Sequence, residues 1–242
     1  MKNILVVGES CRDVFIYCNS NRICPDVPVP ILNIVGQTEN AGMAKNVFRN
    51  VKALGESASL ITNEEWYNIT KTRYVHDSSN HMFFRVDTPH KISRINLDSI
   101  DYRHSIIVVS DYNKGFLTEE DIKTICDNHD NVFIDTKKIL GPWASKAKYI
   151  KINDFEYKNS LKFITEELSD KIVHTRGADG CGFRGTTYPV KRAEVKDASG
   201  AGDSFMAALV VKYLQTENIE ESIRFANKCA SGVVKKKGVA VI

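Results

Sequence analysis

Asp197 and Asp203 enclose the turn Ala198-Ser199-Gly200-Ala201-Gly202, and an apolar run from Phe205 to Val211 follows at once. A helix that is hydrophobic almost all round belongs inside a large core. The Gly-Ala-Gly turn then forms the N-terminus of a buried helix. Such a terminus carries unpaired N–H groups and partial positive charge, and glycines let an anion approach without a Cβ in the way. An acid in the first turn of a helix is common in itself. Two acids around a Gly-Ala-Gly turn point instead to a base beside a bound phosphate, which is the chemistry of phosphoryl transfer.

Holding that turn requires a substantial scaffold, and 242 residues with 43% hydrophobic content can bury one. One main domain is expected. Short continuous apolar runs at Ile4–Val7, Ile106–Ser110 and Val132–Ile134, and further runs at 148–152 and 171–175, alternate with helical stretches. This predicts a mostly parallel α/β sheet with helices on both faces, whose strand ends open onto a site. A net charge of +3 with scattered basic residues excludes a nucleic-acid surface, and the run Lys235–Lys237 suits a helix end. Six cysteines without a C-x-x-C pair or zinc spacing predict free thiols in a reducing cytoplasm. With neither a cleavable signal nor a membrane-spanning run, the protein is expected to be soluble, with no membrane partner.

The nonapeptide 197–205 resembles the D-x-x-G-A-G-D signature of the PfkB/ribokinase family of sugar and nucleoside kinases. Arg22-Ile23-Cys24-Pro25-Asp26-Val27-Pro28-Val29-Pro30, Ser110-Asp111-Tyr112-Asn113-Lys114-Gly115 and Asp135-Thr136-Lys137 are similar to elements of its heptose-7-phosphate kinase branch. The resemblance implies a single ribokinase-like three-layer domain over 1–242, with a small β lid at about 14–40 and 70–97. Strands of the lid are expected at Val14–Tyr17, Ile31–Val35, Thr72–His76 and Met82–Asp87. Two segments, after Asn63 and after Glu156, are shorter than in family members.

By the same resemblance Asp203 takes a proton from the sugar hydroxyl, while the amides of Gly200, Ala201 and Gly202 hold the charge of the transferring phosphoryl group. Asp13 would bind sugar hydroxyls, although Glu9 stands where the family usually has Asp. Ala41-Gly42-Met43-Ala44-Lys45-Asn46-Val47 resembles the G-G-A-A-N-V-A signature, which makes Gly42 and Asn46 sugar-contact candidates at a helix start. Arg73 and Arg85 suit a phosphate already on the sugar, because a guanidinium donates two parallel hydrogen bonds; ordinary solvated strand residues are the alternative. Asp111 and Lys114 would face the sugar phosphate or the nucleotide.

Asn153-Asp154-Phe155-Glu156 fits the family's N-x-x-E, so Asn153 and Glu156 would organise Mg²⁺ through water, with Lys137 beside the ATP phosphates. Thr175, Gly177 and Gly180 resemble the T-x-G-x-x-G nucleotide loop, and Asn227 falls where members line the adenine pocket or simply pack against the catalytic helix. Thr118 and Asp121 read as a purely structural helix cap. The implied function is ATP-dependent phosphorylation of a sugar or sugar phosphate, with a homodimer through the lid. A non-catalytic regulatory protein that binds nucleotide or sugar in the same fold is the alternative.

Overall fold

The computed structural model describes residues 2–89, 91–191 and 194–242. His90, inside the expected lid segment, lies outside them. Along the chain, β1 (Ile4–Gly8), β2 (Ser10–Asn19) and β3 (Asn33–Met43) precede α1 (Ala44–Ala53). Next come β4 (Ala58–Ile61), β5 (Thr70–His76), β6 (Met82–Asp87), β7 (Ile106–Asp111), α2 (Glu119–Asn128) and β8 (Val132–Thr136). They are followed by β9 (Tyr149–Asn153), α3 (Asp154–Ser160), α4 (Glu166–Ser169), β10 (Ile172–Thr175), β11 (Cys181–Phe183) and β12 (Thr186–Tyr188). Two long helices, α5 (Ala201–Thr216) and α6 (Ile219–Val233), close the chain.

The main sheet has 8 strands in the order β12-β11-β10-β9-β8-β7-β1-β4. Pairing is parallel from β4 to β10 and antiparallel across the β10-β11-β12 edge. Continuous apolar runs make these strands central because both their faces find cover. Leu5 and Val7 of β1, with Ile107 and Val109 of β7, face one core, which holds Ile122 and Ile125 of α2. Their neighbours Ile4, Val6, Ile106 and Val108 face the other, which holds Val47 and Val51 of α1, most of α5, and Ile223 and Ala226 of α6. Each such side chain contributes about 1.5–3 kcal/mol by leaving water. The three layers therefore follow directly from strand periodicity.

A second sheet of 4 strands, β3-β2-β5-β6, continues from β1 through Glu9. Its strands run longer than the sequence suggests: β2 begins at Ser10, and β3 extends to Met43. Ala41-Gly42-Met43, expected to lead into a helix, instead completes β3, because Ser10, Cys11 and Arg12 pair with those three residues in register. The helix starts only at Ala44 and ends before Gly55, whose φ of 89° suits the residue after a helix. Pro25, Pro28 and Pro30 interrupt the hairpin between β2 and β3, leaving one isolated bridge, Ile23 to Pro30.

Candidate active site

α5 is buried along most of its length, and its start is the sharpest feature of the site. Gly200 caps it with φ 77°, a left-handed conformation that favours glycine, and a Cβ there would lie 2.8 Å from Asn46 Nδ2. The Ala201 amide donates to Ala198 O and the Ser204 amide to Gly200 O. Gly200, Gly202 and Asp203 keep amides without an internal partner among the described residues, so of the predicted donors only Ala201 is used within the turn. Asp197 folds the turn itself, accepting from the Ser199 amide at 2.8 Å.

Asp203 is only 4% exposed. Its Oδ2 accepts from Asn46 Nδ2 at 2.9 Å and its Oδ1 from the Tyr112 hydroxyl at 2.6 Å. Burial pushes the carboxyl up to about 6; the two hydrogen bonds and Lys151 oppose that shift, and Asp135 adds to it. A carboxylate held near neutrality is suited to accept a proton at working pH.

Next to this turn, β8 and β9 place Asp135 and Lys151 opposite each other in register. Their ion pair spans 2.7 Å with both side chains 4% exposed. A methyl group on Gly202 would sit 2.9 Å from Lys151 Nζ, so the ammonium lies against the helix N-terminus and adds a full charge to its free amides. Lys137 reaches Glu156 in a short ion pair. Burial opposes its charge, but the carboxylates of Asp135, Glu156 and Asp203 hold its pKa above the ordinary value.

These groups line a cavity of about 730 Å³ at the carboxyl ends of β7 to β10. It gathers Gly200, Ala201, Gly202 and Asp203, with Lys137, Asn153, Thr175, Gly177, Gly180 and Asn227. Asn227 donates to Tyr188 O at 3.0 Å, which fixes α6 to the sheet edge at the cavity's apolar end. Gly177 and Gly180 both adopt positive φ, at 56° and 82°, around the tight turn between β10 and β11. Among the described residues no helix is long and apolar enough to cross a membrane, and no group of three or more His, Cys, Asp or Glu could hold a metal ion.

The remaining candidates lie outside that lining. Asn46 is turned toward Asp203 and braced by Asn50, so it positions the carboxylate where a sugar contact was expected. Asp111 pairs with Lys138 at 2.9 Å in a buried ion pair outside the cavity lining. Lys114 is exposed, and its backbone N–H donates to Glu9. Glu156, expected beside a metal, is spent differently: it accepts from the Asn153 amide and side chain as well as from Lys137. Asn153 and Glu156 thus form a capping box for α3, the same device that Thr118 and Asp121 form for α2.

On the second sheet, Arg73 pairs with Asp13, and Gly42 lets that carboxylate sit close, since a Cβ there would fall 2.1 Å from Asp13 Oδ2. Arg85, opposite Arg73 in register, is exposed and pairs with Asp87 at 2.8 Å. Tyr112, Asp135 and Lys151 were not singled out from the sequence. The lysine carried a signal, because a charged residue inside the apolar strand Tyr149-Ile150-Lys151-Ile152 demands a buried partner.

A three-layer fold with a buried acid at a glycine-rich helix start and two lysines beside it is an arrangement whose chemistry suits an anionic phosphate. Residues 80–241 match the pfkB family carbohydrate kinase pattern, and the chain belongs to that family. The bifunctional protein HldE of Campylobacter fetus is 28% identical over 298 residues, covering 99% of this chain and 64% of that protein. HldE of Helicobacter pylori strain G27 is 27% identical over 301 residues, covering 100% and 64%. The chain therefore spans 64% of the length of these relatives, and the alignments outrun its 242 residues because the relatives carry segments that it lacks. Among solved structures, Methanocaldococcus jannaschii nucleoside kinase superposes with TM-score 0.72 at 15% identity, covering 99% of this chain and 93% of that one. Thermotoga maritima ribokinase gives 0.70 at 16% identity, covering 99% and 95%. The fold is ribokinase-like, as the signature implies.

Proposed function

We propose that the protein transfers the γ-phosphoryl group of ATP to a hydroxyl of a sugar phosphate of the heptose-7-phosphate type, with Asp203 as base. One observation carries this: a buried carboxylate, aligned by Asn46 and Tyr112 and held near pH 6, stands beside the free amides of α5 and the ammonium of Lys151. The substrate oxygen bonds to the γ-phosphorus, its proton passes to Asp203 and ADP leaves. The Gly202 and Asp203 amides, with Lys151 and Lys137, meet the charge on the phosphoryl oxygens. The loop at Thr175, Gly177 and Gly180 and the wall at Asn227 accommodate the nucleotide. Arg73, held by Asp13, and the exposed Lys114 supply the cations that a phosphorylated sugar needs, and the similarity to HldE supports that substrate class.

Asn153, lining the cavity, suits Mg²⁺ held largely by phosphate and water, and Glu156 acts through Lys137 and Asn153. Bound Mg²⁺ would neutralise charge on the phosphates. Homodimerisation through the second sheet is supported by exposed apolar residues on its edge strands: Ile34 is 65% and Val86 52% exposed. A dimer mass in light scattering that Ile34→Lys converts to monomer is the expected result; an unchanged mass rules that contact out.

The test of activity is Mg²⁺-dependent ADP release across sugar phosphates, free sugars and nucleosides, with Asp203→Asn in parallel. Turnover on one phosphorylated sugar, falling at least ~10²-fold in Asp203→Asn, is expected. Binding of ATP or sugar without any Asp203-dependent turnover would replace the kinase with a binding protein.

A further inference from the structure

Glu9 joins β1 to β2 and is fully buried, yet among the described residues it neither lines the cavity nor pairs with a cation. Its carboxylate accepts three backbone amides of one loop: Tyr112 at 2.8 Å, Lys114 at 2.8 Å and Phe116 at 3.4 Å. That loop is tightly wound, with Asn113 at φ 55° and Gly115 at φ 101°, so alternate amides converge on a single carboxylate. The loop carries Tyr112, whose hydroxyl donates to Asp203 Oδ1 at 2.6 Å. The Tyr112 ring lies between two ammonium groups: Lys71 of β5 at 4.9 Å from its centroid and Lys137 after β8 at 5.4 Å.

We propose that Glu9 and Tyr112 form a positioning clamp for the base: Glu9 fixes the loop, and the Tyr112 hydroxyl orients Asp203 through its Oδ1, with Lys71 tying the clamp to the second sheet. The proposal rests on the assignment of Asp203 as base. Geometry accounts for each part. A carboxylate buried beside Asp135 is disfavoured as an anion, and a donated hydrogen bond favours the charged form. The groups facing Asp203 are Asn46 of α1, Tyr112 of the loop, Asp135 of β8, Lys151 of β9 and, farther off, Lys137 and the Cys11 thiol of β2. Among the described residues only Asn46 and Tyr112 donate hydrogen bonds to it, so removing either leaves one oxygen without its donor. Glu9 reaches the three amides because of its length. Aspartate, one methylene shorter, would fall short of them, which gives the departure at this position a physical role.

The ligand-free protein provides a direct test, a ¹³C-carboxyl NMR titration of Asp203, assigned by the signal missing in Asp203→Asn. The wild-type midpoint is expected near 6. In Tyr112→Phe it should rise by about 1 pH unit, and the acidic limb of kcat/KM should move with it while the KM for ATP stays unchanged. Glu9→Asp retains the hydroxyl and loosens the loop, so its midpoint should rise by less. An unmoved midpoint in Tyr112→Phe overturns the role of Tyr112, and an unmoved midpoint in Glu9→Asp overturns that of Glu9. Should Tyr112→Phe fail to fold, the Glu9→Asp titration decides the clamp alone. Turnover surviving in Asp203→Asn would instead remove the base assignment, whatever the titrations show.

Discussion

The α5 end of the main sheet and the second sheet use charge in different ways. On the α5 side, Lys137 and Lys151 crowd a helix N-terminus and face the cavity while each stays tied to a carboxylate. On the lid side, Arg73 and Asp13 satisfy each other outside the cavity lining. The α5 side already turns free amides and two ammonium groups toward the cavity. On the proposed function, a sugar phosphate taken up by Arg73 would compete with that ion pair.

The largest effect that would sharpen this contrast lies on the α5 side. Lys151→Met strands a buried Asp135 and should destabilise the fold by about 3–5 kcal/mol, measured by urea denaturation, together with a loss of ATP affinity. Asp203→Asn should act in the opposite direction on stability. The folded carboxyl titrates at about 6, above its ordinary 3.8, so the native state binds the extra proton. Stability therefore falls as pH rises through that window and stays reduced at pH 7. Removing the charge should raise Tm at pH 7 and leave it nearly unchanged below pH 4, a difference that calorimetry at the two pH values resolves. A fall in Tm at pH 7 would mean that the buried charge is fully compensated.

On the lid side, Gly42→Ala forces Asp13 aside and should cost about 1–3 kcal/mol through overpacking. Steady-state kinetics should show the KM for sugar raised and the KM for ATP unmoved. The smallest effects come from the paired caps. Thr118→Ala and Asn153→Ala should each lose about 1 kcal/mol. Only Asn153→Ala should weaken nucleotide binding in calorimetric titration, because its cap also holds Glu156 against Lys137. Equal effects on binding would erase the distinction between the two boxes.

Much of this was readable in advance. The Gly-Ala-Gly turn, the apolar strand runs and the cap at Thr118 are local patterns, and local patterns survive without a tertiary context. Side-chain direction does not. Asn46 and Asp111 carry the right chemistry in the right segments, yet packing aims one at Asp203 and the other at Lys138. The Asp135–Lys151 pair depends on the register of β8 against β9, which no motif encodes. Tyr112 became visible only when a loop anchored by Glu9 met α5 across the sheet ends.

The central claim is that a buried Asp203 accepts the substrate proton, and the pH dependence of kcat/KM between pH 5 and 8 tests it most directly. Activity should fall by about tenfold per pH unit below a pKa close to 6 and stay level above it. A flat profile across that range, or an unchanged acidic limb in Asp203→Asn, would contradict the account.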